Sequence, residues 1–139
     1  MKVLPALYSI TATIVFLQLL LGGLLTYNFI SPEPHIILGF IVFVLAIATM
    51  IVALVSKPSF RPIRITSILI VVLMLVQIIL GFATLNNGNQ AVAWLHFVNA
   101  LAIYGATISG VFIALRWDEM NRASSTINSG TRNGLGSKT

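Results

Sequence analysis

The chain holds two histidines, His35 and His96. Each lies near the start of a long apolar stretch, at matching places in two halves of the sequence that resemble each other. Ionisable and metal-binding side chains are costly in a membrane span and mark functional positions there. Two imidazoles brought together on one side of a four-helix membrane bundle can hold one heme iron from both faces. The second ring nitrogen of each then needs a partner, often a carbonyl or a carboxylate. The plainer alternative is two unrelated interfacial histidines facing headgroup water. Matched positions on one side favour the heme reading.

Other residues extend this candidate site. Glu33, two residues before His35, is a candidate general base beside a heme edge; it equally suits the dipole at a helix N-terminus, where Pro34 also fits. Gln18 and Gln77 are amides inside apolar stretches, either glue between helices or contacts to a cofactor. Gly22, Gly23 and Gly81 permit close helix approach or the approach of a flat macrocycle. Gly39 and Ala100 follow the histidines by four residues and leave room on the same face. Asn99 and Tyr104 read as hydrogen bonders between helices. Trp94 and Trp117 read as interfacial anchors, with Trp94 also able to flank a heme.

The elements that must position these residues follow from composition. Of 139 residues, 58% are hydrophobic and 8% charged, against roughly 25% charged in a soluble domain. Such a chain lacks the polar surface to face water all round. There is no cysteine, which excludes disulfides, thiolate metal sites and cysteine nucleophiles. Four stretches, near Leu4–Phe29, His35–Val55, Ile63–Leu85 and Ala91–Arg116, supply the roughly 20 apolar residues that a spanning helix needs. The first is too long for a signal-peptide core and is expected to be retained. The net charge of +5 sits at helix ends and in the C-terminal tail, a pattern of membrane orientation rather than nucleic-acid binding. The loop Ser56–Arg64 carries Lys57, Arg61 and Arg64, whereas the first and third connections carry no base. The positive-inside rule then places that loop and both termini in the cytoplasm and the histidines toward the outer face of the plasma membrane.

The halves align in register. Gln18-Leu-Leu-Leu-Gly22 matches Gln77-Ile-Ile-Leu-Gly81 at an offset of 59, and His35 matches His96 at 61. Ile51-Val-Ala-Leu54 matches Phe112-Ile-Ala-Leu115, again at 61. The change of offset predicts a third connection longer than the first. Each repeat crosses twice, so both point the same way about a pseudo-two-fold axis along the membrane normal. The fold expected is therefore an all-α membrane protein, a four-transmembrane-helix bundle of two parallel two-helix repeats over residues 1–117. A polar, disordered cytoplasmic tail is expected over 118–139.

The stretch Gln18-Leu-Leu-Leu-Gly-Gly-Leu-Leu-Thr26, followed by His35-Ile-Ile-Leu-Gly39, resembles the first helix pair of the heme A synthase family. Gln77-Ile-Ile-Leu-Gly81 with Trp94-Leu-His96 resembles its second pair. Typical members join two four-helix halves, each with a histidine on its second and fourth helices; this chain resembles one half, over about residues 10–117. The resemblance implies a bis-histidine heme b site at His35 and His96. It also implies oxidation of a methyl group of heme O, as substrate, to the formyl group of heme A. Two departures stand out. Glu33 precedes His35 by two residues where the family acid precedes by three, and the outer-loop cysteine pair of many members is absent. One half offers one heme site, so a synthase of this kind is expected to act as a homo-oligomer or with a partner. A b-type cytochrome subunit of a respiratory terminal oxidase complex would use the same histidines without modifying heme. A small transporter or purely structural subunit is the remaining alternative; no charged residue lies deep in a span to support transport.

Overall fold

The computed structural model describes residues 3–56 and 61–135. It consists of α1 (Val3–Thr26), α2 (Pro32–Val55), α3 (Arg61–Asn87) and α4 (Gln90–Leu135). All four are long and apolar enough to cross a membrane. A helix is the form an apolar span must take, because it satisfies every interior backbone group within the segment. The hydroxyls inside the spans follow the same rule: Thr11, Thr49 and Thr84 each donate to the carbonyl four residues back, at 2.8 Å.

Helix ends are set by local chemistry. α1 stops because Asn28 adopts φ 58, a left-handed conformation that asparagine tolerates. Phe29 N–H then returns to the Leu24 carbonyl at 2.9 Å. α3 ends in the same way at Gly88, with φ +59 and its N–H on the Thr84 carbonyl at 3.0 Å. α4 is capped by the Asn89 side chain, which accepts from the Ala91 N–H at 2.9 Å. α2 begins with Pro32, whose missing N–H costs nothing in the first turn.

The helices form a closed ring in which α1 packs on α2, α2 on α3, α3 on α4 and α4 on α1. α1 and α3 occupy one diagonal, α2 and α4 the other. The outer surface differs from that of a soluble bundle. Large apolar side chains such as Phe16, Leu20, Ile37, Val44 and Ile79 point outward, into what is lipid for a membrane span. Ala12, Ala46, Ala53, Ala114, Thr11, Thr49, Ser67 and Thr107 are buried. Small residues and hydroxyls let helix backbones approach closely.

Burial obeys the sequence repeat. Leu4, Tyr8, Thr11 and Val15 of α1 are buried, and so are Ile63, Ser67, Ile70 and Met74, each 59 residues later. Val42, Ala46, Thr49 and Ala53 of α2 are buried, and so are Ile103, Thr107, Gly110 and Ala114, each 61 later. The parallel two-helix repeat is thus a property of the packing as well as of the sequence.

All these core positions lie in the half of the bundle near the α1 N-terminus and the α2–α3 loop. No described residue over 16–41 or 75–102 is fully buried. The bundle is therefore tight at one end and loose at the other, where the α1–α2 and α3–α4 connections lie.

Two expectations need correction. The third connection is shorter than the first, two residues between helices against five. The additional residues are helical: α3 continues to Asn87, past Leu85, the equivalent of the α1 end, and α4 starts before Ala93, the equivalent of Pro32. The segment expected as a disordered tail from 118 onward continues α4 as far as Leu135. No glycine or proline interrupts the chain between Arg116 and Ser129. The Asp118–Arg122 ion pair, one turn apart, also supports the helix there. Residues 136–139 of that tail lie outside the described residues.

Candidate functional site

The loose end of the bundle is organised around the histidines. His35 is in the first turns of α2 and His96 in the second turn of α4. These helices lie on one diagonal and do not pack against each other. The two rings nevertheless meet across the axis, their centroids 6.2 Å apart and their planes at 62°. Both residues are half-buried. The Nδ1 atom of each ring is buried without a hydrogen-bond partner. Unsatisfied buried polar atoms are rare and call for an explanation, such as a ligand or ion.

Each ring faces a glycine on the neighbouring helix. A Cβ added at Gly22 would lie 3.2 Å from His35 Cε1, and one added at Gly81 would lie 3.1 Å from His96 Cε1. The absent side chains are thus what gives each imidazole its place. Gly23 differs from its neighbour, since a Cβ there meets nothing within 4 Å.

The glutamines approach the histidines differently. Gln18 Nε2 donates to the backbone carbonyl of His35 at 2.6 Å, leaving its own Oε1 buried and unpartnered. Gln77 Nε2 lies 3.1 Å from the ring Nε2 of His96. Its orientation is fixed by Asn99, whose amide donates to the Leu73 carbonyl at 2.9 Å and to Gln77 Oε1 at 2.7 Å. Gln77 therefore presents its NH2 group to His96, and His96 Nε2 accepts.

Other sequence candidates fall outside this cluster. Glu33 is exposed on the first turn of α2, with the placement of a helix-terminal carboxylate. Trp94 is 61% exposed, and its ring packs edge-on against Phe97 at 6.0 Å rather than against a histidine. Gly39 does not open space for a macrocycle: Gln18 Nε2 lies 2.9 Å from where its Cβ would be. Tyr104 pairs with the Phe16 ring at 6.0 Å, and Asn99 is the interhelical hydrogen bonder expected. The Tyr8–Gly110 contact was not evident from sequence. Tyr8 is fully buried, and its ring lies where a Cβ on Gly110 would stand.

The donor set limits what can bind. A bare transition metal generally takes three or four protein ligands, and among the described residues no group of three or more His, Cys, Asp and Glu side chains gathers. A porphyrin brings four nitrogens of its own, so two imidazoles complete its iron. Two imidazoles with centroids 6.2 Å apart leave space for a metal–imidazole bond of about 2 Å from each. The half-buried surroundings and the glycines at 22 and 81 fit a flat, largely apolar group. Comparison with protein families, curated proteins and solved structures finds no match to this chain.

Proposed function

We propose that this chain is a heme-binding membrane protein in which His35 and His96 would hold one heme b. The observation that carries this reading is the meeting of two imidazoles across a diagonal where their helices do not touch. In this reading Gly22 and Gly81 give the rings room, while Gln18 bonds the His35 backbone and Gln77 the His96 ring from neighbouring helices. The iron, when bound, supplies one-electron redox chemistry at a potential tuned by its axial ligands and burial. The basic α2–α3 loop faces the cytoplasm, which puts the site toward the outer face of the plasma membrane.

The activity we propose is that of a compact heme A synthase, oxidising a methyl group of heme O to the formyl of heme A. Its support is the resemblance of the Gln-Leu-Leu-Leu-Gly and His-Ile-Ile-Leu-Gly stretches. A chain with one bis-histidine site then works as a homo-oligomer. A second reading, an electron-carrying subunit of a respiratory complex, is favoured by one observation. Glu33 is exposed, so no acidic side chain stands beside the rings as a base.

A pyridine haemochrome and a reduced-minus-oxidised spectrum of the purified protein, expressed with and without a source of heme O, decide between them. Heme A appearing only with heme O supports the synthase. Heme b alone in both samples supports the electron carrier. No heme in either sample overturns both.

A further inference from the structure

Resting on the heme reading, we infer that the two ligands are unequal: His35 is the firm ligand, and His96 is an exchangeable one restrained by Gln77 and Asn99. The repeat makes the comparison internal. Gln18 and Gln77 are equivalent, yet one bonds a backbone carbonyl and the other a ring nitrogen.

Two adjacent substitutions between the repeats account for the difference. Leu38-Gly39 on α2 corresponds to Asn99-Ala100 on α4. Gly39 lacks the Cβ that would stand 2.9 Å from Gln18 Nε2, so Gln18 can reach the His35 carbonyl. Ala100 carries that Cβ at the equivalent place, which closes the same route to Gln77. Leu38 offers no hydrogen bond, whereas Asn99 grips Gln77 Oε1 at 2.7 Å while anchored on the Leu73 carbonyl.

The consequence concerns a lone pair. Gln77 donates to His96 Nε2, so the ring proton sits on Nδ1. Binding iron through Nε2 requires Gln77 to leave. Binding through Nδ1 requires the proton to move to Nε2, against an NH2 group that Asn99 holds in place. Either route gives up a hydrogen bond that His35 does not have to break. An iron that readily loses one axial histidine has a position open to a small ligand. That is the property a heme doing chemistry needs and a simple electron carrier does not.

The test is carbon monoxide binding to the reduced, heme-loaded protein in detergent, followed by the Soret shift, with heme retained per chain measured on each variant. His96→Ala keeps its heme and binds carbon monoxide fully; His35→Ala retains at least roughly fivefold less, the ratio a typical hydrogen bond corresponds to. Asn99→Leu releases Gln77 and lowers carbon monoxide affinity by a similar roughly fivefold factor, because His96 then holds the iron more firmly. Exchanging the pairs, with Leu38→Asn and Gly39→Ala against Asn99→Leu and Ala100→Gly, inverts which histidine retains heme. Equal heme loss from both alanine variants, or an exchange without inversion, overturns the inference while leaving the heme site standing. A wild-type protein that takes up no heme overturns the underlying reading instead.

Discussion

The glycines that face the histidines allow a matched experiment. Gly22→Ala and Gly81→Ala each add one methyl group at 3.2 and 3.1 Å from an imidazole Cε1. Ordinary carbon contacts are about 3.5–4 Å, so each ring must yield by a few tenths of an ångström. The surrounding half of the bundle contains no fully buried described residue, and the ring can rotate. A rotation of that size costs less than about 1 kcal/mol. Alanine in place of glycine favours the helix by about 0.5–1 kcal/mol. Fold stability should therefore change little, while the imidazoles proposed to hold heme change orientation. Heme affinity should fall by about 1 kcal/mol, or roughly fivefold. Gly23→Ala supplies the control, because it brings the same helical gain and its Cβ meets nothing within 4 Å. The assay is heme titration of the apo-protein in detergent, with thermal unfolding alongside. Equal affinity in all three variants, or the greatest loss at Gly23, would refute the reasoning.

The tight end of the bundle gives a second coupling. Gly110→Ala drives a Cβ into Tyr8 Cε1 and Cδ1, on a ring tethered by its hydroxyl to the Ile63 carbonyl at 3.2 Å. The substitution should cost about 2–3 kcal/mol by overpacking, and a double-mutant cycle with Tyr8→Ser in detergent unfolding should recover about 2 kcal/mol of coupling; additive effects would show that the ring is free to move. The orientation is checked by cysteine labelling, since the chain has no native cysteine. Asn89→Cys should react with an impermeant maleimide on intact cells, and labelling only after permeabilisation would reverse the topology.

Much of the architecture was legible because lipid imposes simple rules. Apolar stretches of spanning length became α1 to α4, and the matched glutamines and histidines announced the repeat that burial then followed. Boundaries were harder to read. The asparagines and Gly88 near the third connection suggested a longer loop, but a single left-handed residue is enough to end α3, and the remainder stays helical. Composition beyond Trp117 suggested disorder, but α4, already nucleated by its span, continues there with Asp118 and Arg122 paired one turn apart. At the site, the sequence marked Gln18, Gln77 and Asn99 as polar residues in apolar helices. It could not say which atom each would bond. That depended on a missing Cβ at Gly39 and on the reach of Asn99, which only the packed geometry reveals.

The two kinds of asymmetry between the repeats have different consequences. At the tight end, the pair Tyr8 on α1 with Gly110 on α4 answers to the pair Ser67 on α3 with Thr49 on α2. One large side chain beside none is exchanged for two small hydroxyls, and all four positions remain buried. Such an exchange fills space and needs only a compatible partner. At the loose end, Leu38-Gly39 against Asn99-Ala100 alters which atom the neighbouring glutamine engages, and so the hydrogen bond received by one imidazole alone. Under the heme reading proposed above, one firm and one exchangeable ligand follow from it. The position of Asn99 on α4, with a leucine in its place on α2, thus bears more directly on whether this protein does chemistry than the histidines do, because both readings share the histidines.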